Sequence, residues 1–216
     1  MAANQPAPGK NWQQTKSART RNAILDATID CFYELGYAST TTENVANKAG
    51  VSRGAMLHHF PTRFDLIKAT VESLNKRRLE MFQTEEATIQ KGATYTRVEE
   101  GIDAYWKQLN TPVFVVFQEL RVAARTDKEL AKVLIPALED FNRAWYRSVR
   151  EIFPDLALSE AFSRANYLTQ YMLEGMAMSR LLGGPKPPVG KMIAWLKREL
   201  RRSYQDVLGK VERQTD

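Results

Sequence analysis

A single cysteine, Cys31, in a chain of 216 residues rules out an internal disulfide framework and suits a reducing cytoplasm. Histidine is almost as scarce: the only two, His58 and His59, stand side by side and form no zinc-spaced cluster with the lone cysteine. Neighbouring positions on a helix point about 100° apart, so this pair is poorly arranged to share a metal ion. There is no phosphate loop and no nucleophile–base constellation, so no catalytic residue, no metal and no cofactor is expected. Long apolar runs are missing too. The longest, residues 113–117, gives way at once to Gln118, Glu119 and Arg121, far short of the ~18–20 apolar residues of a membrane span, so no membrane partner is expected. Residues 1–22 contain no acidic side chain and no apolar core of the signal-peptide kind, but do carry Lys10, Lys16, Arg19 and Arg21. Residues 1–17 therefore read as a disordered or arm segment, polar and basic.

What is present is enough for a sizeable core. Hydrophobic residues make up 44% of the chain and charged ones 26%, an ordinary balance for a globular protein. The net charge of +6 favours an anionic partner such as nucleic acid, a weak signal by itself. Apolar residues recur at helical spacing almost throughout, which predicts an all-α fold. The first helix is expected over 18–35, where Ile24, Thr28, Cys31 and Leu35 mark one face and bury the cysteine; Gly36 ends it. Two short helices follow, 43–49 and 53–59, then a longer one over 62–82. Further helices are expected over 95–109, 112–125, 128–153, 159–182 and 189–208. Pro136 should kink or delay the longest of these, and Gly183-Gly184-Pro185 with Pro187-Pro188 separates the last two.

The stretch 41–60 carries the functional argument. Val45, Ala46, Ala49 and Val51 are apolar or small, Gly50 supplies a tight turn, Ser52 can cap the second short helix, and Met56 and Phe60 return to the core. This is the arrangement of a helix-turn-helix, in which the second helix presents one side to a DNA major groove.

Over residues 18–79 the chain resembles the TetR family of transcriptional regulators. The resemblance rests on Gly36-Tyr37, the threonines at 40–42, Val45-Ala46, Ala49-Gly50-Val51-Ser52, Gly54, His59-Phe60 and Leu66. It implies about nine helices: an N-terminal three-helix DNA-binding domain over 18–78, then a larger ligand-binding and dimerisation domain over 79–216. It also implies double-stranded operator DNA as partner, a small-molecule effector and a homodimer. Carried over by position, Thr41 and Thr42 meet a phosphate at a helix start, with Ser52 as the next cap. Arg53, Gly54 and Ala55 open the recognition helix, Arg53 being suited to guanine and Ala55 to a thymine methyl. His58, His59 and Arg63 lie near the DNA backbone. Leu57 stands where the family commonly has tyrosine, so a phenolic phosphate contact is lost.

The second half carries no motif of its own. Its aromatic density suggests an apolar pocket, with Trp106, Phe114, Phe117, Phe141, Trp145 and Tyr171 as candidate walls. Gln118, Arg121, Gln170 and Glu174 are the candidate polar groups, which ion pairing or surface exposure would explain equally well. The last two helices have broad apolar stripes, which fit either a dimer interface or packing within one chain. The sequence thus points to a repressor released from a palindromic operator by an effector. An activator or ligand-independent regulator of the same fold is the nearest alternative, a helical enzyme a more distant one, and an interaction module without DNA affinity another.

Overall fold

In a computed structural model, residues 8–87, 89, 94–154, 156, 159–181 and 188–215 are described, those outside 8–11, 86, 94–95, 203 and 205–215 with their side chains. Among them there are nine helices and no strand. They are α1 (Pro8–Leu35), α2 (Thr42–Ala49), α3 (Arg53–His59), α4 (Arg63–Glu86) and α5 (Thr94–Leu109), followed by α6 (Pro112–Ala123), α7 (Lys128–Ile152), α8 (Glu160–Met178) and α9 (Val189–Thr215). None of the described helices is long and apolar enough to cross a membrane.

Side-chain caps set most of the helix starts. Thr41 accepts the Asn44 N–H at 3.1 Å while the Asn44 side-chain oxygen accepts the Thr41 N–H at 3.1 Å, a reciprocal box that opens α2. The same device opens α4: Thr62 accepts the Asp65 N–H, and the Asp65 carboxylate accepts the Thr62 N–H, each at 3.1 Å. Thr62 is thus the cap and not the first residue of the helix. Thr111 precedes Pro112 at the first position of α6, where a missing N–H costs nothing. Asp127 caps α7, accepting the Leu130 N–H at 2.9 Å. Pro136 lies inside α7, which continues through it, and both Pro136 and Lys132, whose carbonyl loses its helical donor there, are exposed.

Several boundaries differ from the sequence expectation: α4 runs on to Glu86 and α9 to Thr215, past the expected ends at 82 and 208, and α1 and α8 differ as follows. Helix α1 begins at Pro8, well before residue 18, so residues 8–17 are helical and not a disordered arm; residues 1–7 lie outside the described residues. Helix α8 stops at Met178 in a turn at Ser179 and Arg180, and the breaker at 183–187 also lies outside the described residues.

The chain divides into two compact units, residues 1–75 with 116–137, and residues 76–115 with 138–216. A linear cut at residue 78 does not anticipate that 116–137 groups with the first unit. The core of the first unit joins Ile24, Leu25, Cys31, Val45, Met56, Phe60 and Leu66, so the three N-terminal helices close around one apolar centre. Removing each of these large side chains from water contributes about 1.5–3 kcal/mol. The second unit has its own core, in which Leu156, Phe162, Leu173, Leu196, Leu200 and Tyr204 are buried.

Candidate functional site

The residues between α2 and α3 form the turn expected of them. Gly50 has φ 65 and donates its N–H to Asn47 O, while the Val51 N–H reaches Ala46 O at 3.0 Å. That left-handed backbone suits glycine. Ser52 then caps α3 by accepting the Ala55 N–H at 3.2 Å. Because Met56 and Phe60 turn inward at 2% and 4% exposure, the opposite side of α3 is fixed outward. That outer side carries Arg53, Gly54, Leu57 and His58, all exposed, with Ala55 and His59 half-buried at its edges. A Cβ at Gly54 would meet only the Ser52 hydroxyl, at 3.9 Å, so the outer surface of the helix is open at its first turn.

Thr41, Thr42 and Arg63 come together. With Thr40 and the side chains of Phe32 and Leu66 behind them, they line one small hollow on the first unit. Arg63 is exposed, yet its guanidinium rests on the ring of Tyr37, 4.9 Å from the centroid. Its Nη2 donates to the Tyr37 carbonyl and its Nη1 to the Tyr37 hydroxyl, both at 3.4 Å. Tyr37 is itself held from two directions. Its N–H donates to Glu119 Oε1 at 3.0 Å and its hydroxyl to Asp127 Oδ2 at 2.6 Å. The Leu130 N–H and then the Tyr37 hydroxyl hold the Asp127 carboxyl below the usual carboxylate range, whereas burial first and Asp127 second raise the Tyr37 phenol. The whole network lies inside the first unit.

His58 and His59 do not converge: their rings sit edge to face, 5.4 Å between centroids. Burial, followed by the charges of His58 and Arg21, lowers the His59 imidazole below its ordinary value. Arg21 lies over the Phe60 ring at 5.3 Å, which brings that cation of α1 to the end of α3. Leu57, left out of the expected contacts, is 44% exposed. It stands four residues after Arg53, one helical turn along the same face, and that spacing was readable in the sequence.

The second unit contains a cleft enclosing about 730 Å³ of empty space, part of it open to solvent. Of the ten expected wall residues, Trp145 and Gln170 line it. Phe141 stands behind Trp145, their ring centroids 6.5 Å apart, and Glu174 stands behind Gln170 and Tyr105, accepting from both. Phe114 is buried in the core of this unit and Trp106 packs against that core. Tyr171 points away and is 65% exposed. Phe117, Gln118 and Arg121 belong to the first unit: Phe117 and Gln118 are buried there, and the exposed Arg121 donates to Gln118 at 3.1 Å. The helical phase of α6 decides this, because residues three apart share a face and pair with each other. The sequence reading missed Phe82, Phe153, Phe162 and Tyr204 as walls, and Asn166 and Thr169 as polar groups. The spacing of Asn166, Thr169 and Gln170, one stripe of α8, was the available signal.

On α8 and α9 the apolar stripes divide. Leu196, Leu200 and Tyr204 go into the core, while Leu168, Tyr171, Met192 and Trp195 stay exposed. Tyr167 and Tyr171 stack on the outer face of α8, ring centroids 6.2 Å apart.

An all-helical chain with a capped helix-turn-helix near its start and a separate helical unit after it has the build of a DNA-binding transcriptional regulator. Residues 24–70 match the family model described as "Bacterial regulatory proteins, tetR family". The chain is 30% identical over 173 residues to the HTH-type transcriptional regulator Rv2912c of Mycobacterium tuberculosis, a match that covers 78% of this chain and 86% of that protein. In fold it is similar to a TetR-family regulator from Mesorhizobium loti, with TM-score 0.68, 18% identity, and 89% and 96% of the two chains covered. It is also similar to the multidrug binding protein EbrR complexed with imidazole, with TM-score 0.54, 21% identity, and 85% and 93% covered. The chain belongs to the TetR family of bacterial transcriptional regulators. It is a DNA-binding regulator and not an enzyme.

Proposed function

We propose that this regulator is a repressor, bound as a homodimer to a palindromic operator and released when a small molecule occupies the cleft of the second unit. The DNA-binding domain then spans residues 18–78, and residues 79–216 supply the effector site and the dimer contact. The single observation that carries the reading is the outward face of α3, where Arg53 and Leu57 stand one turn apart on a helix whose other side is locked into the core. Arg53 reads guanine O6 and N7 in the major groove, Leu57 and Ala55 offer apolar contact to thymine methyls, and Gly54 admits close approach. Thr41, Thr42 and Arg63 seat a phosphate in the hollow they line, with the first amides of α2 adding their dipole. Ser52, His58 and His59 flank the same surface. Leu168 and Tyr171 of α8 with Met192 and Trp195 of α9 supply the apolar dimer face. EbrR, similar in fold, is a multidrug binding protein complexed with imidazole, which supports a small-molecule effector for this chain as well.

Selection of bound genomic fragments tests the operator, which should read as a palindrome. On that site Arg53→Ala should cost ~1–3 kcal/mol at one base position and relax preference there. Arg63→Ala should weaken all duplexes alike and reduce the salt slope by about one ion. Equal losses on operator and random DNA in both variants would refute this division of roles. A compound screen for operator release tests the effector, and reporter expression in a deletion strain separates repression from activation.

A further inference from the structure

An exposed arginine samples many rotamers, and a phosphate that seats it must first arrest them. Arg63 is exposed at the start of α4, yet its guanidinium is held in three ways by one other residue. Its carbon lies 4.9 Å from the centroid of the Tyr37 ring. Nη2 donates to the Tyr37 carbonyl and Nη1 to the Tyr37 hydroxyl, both at 3.4 Å. Bonds of that length are weak, and a charged phosphate oxygen at shorter range displaces them. Among the described residues they engage two of the five N–H donors of the guanidinium. The contacts therefore aim the group without consuming it. Thr41 and Thr42 line the same small hollow as Arg63.

Tyr37 can serve as a support because it is itself pinned. It is 6% exposed, and its ring centroid is 5.6 Å from that of Phe32. Its N–H donates to Glu119 Oε1 at 3.0 Å and its hydroxyl to Asp127 Oδ2 at 2.6 Å, so α6 and the cap of α7 each hold one end of the residue. The Thr40 hydroxyl donates to the Gly36 carbonyl at 2.8 Å and closes the loop around it. The Tyr37 hydroxyl also stands between cation and carboxylate, accepting from Arg63 while donating to Asp127. All of these groups lie within the first unit.

We propose that Tyr37 is a positioning residue for DNA binding: its ring and carbonyl hold the Arg63 guanidinium ready for a phosphate, and Glu119 and Asp127 hold Tyr37. This rests on the reading of Arg63 as a phosphate contact. It gives residues 116–137 a part in DNA affinity that requires none of them to touch DNA.

Fluorescence anisotropy of the intact protein on a labelled random-sequence duplex, repeated over a salt series, tests this. Arg63→Ala should bind about tenfold more weakly, with a salt slope lower by about one ion. Tyr37→Leu, which removes the ring, should bind about fivefold more weakly, the cost of ordering one long side chain on binding. Tyr37→Phe keeps the ring and the carbonyl, and should recover binding to within about twofold of wild type. In the Arg63→Ala background, Tyr37→Leu should cost less than about twofold more, a non-additivity that a merely structural role does not produce. Equal losses from Tyr37→Leu with and without Arg63, no loss from it, or as large a loss from Tyr37→Phe, overturns the proposal and leaves Arg63 as a phosphate contact. Full binding by Arg63→Ala overturns both. The unaltered protein gives a readout independent of how Tyr37→Leu folds. The heteronuclear Overhauser effect at Arg63 Nε should match that of the helical backbone before duplex is added and change little afterwards. A guanidinium that is mobile in the free protein and stiffens only on the duplex overturns the positioning role.

Discussion

Tyr37→Phe isolates one hydrogen bond in the network that ties the start of α7 to the loop before α2. Phenylalanine keeps the ring under Arg63 and the contact with Phe32, whose centroid is 5.6 Å away, and removes only the hydroxyl that reaches Asp127 at 2.6 Å. The 3.4 Å contact from Arg63 to the same oxygen is lost too, but at that length it contributes least. A neutral donor on a carboxylate is worth about 1.5–3 kcal/mol in stability. Here the carboxylate keeps the Leu130 N–H and is only half-buried, so water can replace the phenol and the loss should fall at the lower end, about 1.5 kcal/mol. For a chain of this size that is a fall of about 3–6 °C in Tm. A double-mutant cycle of Tyr37→Phe with Asp127→Asn, followed by calorimetry, measures the pair. The carboxyl titration of Asp127 should also move up in Tyr37→Phe, since the phenol is the second cause of its depression. A coupling energy under ~0.3 kcal/mol together with an unmoved Asp127 would refute the reasoning.

Leu173, fully buried in the second core, should lose about 3 kcal/mol on substitution by alanine, read from calorimetric unfolding. Thr41→Ala should cost about 1 kcal/mol by removing the acceptor for Asn44, while Thr41→Ser, which keeps it, should unfold at nearly the wild-type urea midpoint. His59 supplies a pH test. Its folded imidazole lies below the ordinary 6.5, so as pH falls through that value the unfolded chain takes up the proton first. Stability should therefore decline from about pH 7 downward and level off below the folded value, and His59→Gln should flatten that decline in urea midpoints measured across the range.

The helix-turn-helix was legible because every one of its signals is local. Gly50, Ser52, Val45 and Met56 act within a turn or two of one another, and α3 begins and ends where the sequence places it. The early start of α1 was hidden for the opposite reason. Its described side chains before Thr20 are all exposed, so that stretch has no apolar stripe for periodicity to detect. The cleft was only half legible. Aromatic residues on α4, α5, α7, α8 and α9 meet there, and which of them face inward depends on helix rotations that spacing within one helix does not determine. Phe117 and Gln118, expected beside a pocket, are instead buried within the first unit. The Tyr37–Asp127 bond joins residues 90 positions apart, and nothing in either neighbourhood announces the other.

Any other residue at Gly36 meets two separate costs. Its φ of 79 is one that side chains adopt only under strain, and a Cβ there would stand 3.2 Å from the Glu119 carboxylate oxygen that holds the Tyr37 amide, which would have to give by a few tenths of an ångström. Shortening Glu119 would clear the space and leave the torsional barrier in place, while relaxing the torsion would push the new atom against the carboxylate. An exchange at Glu119 therefore relieves only one of the two costs. An engineer wishing to reshape the approach to α2 does best to change the loop from Gly36 to Thr40 together with its acceptor on α6.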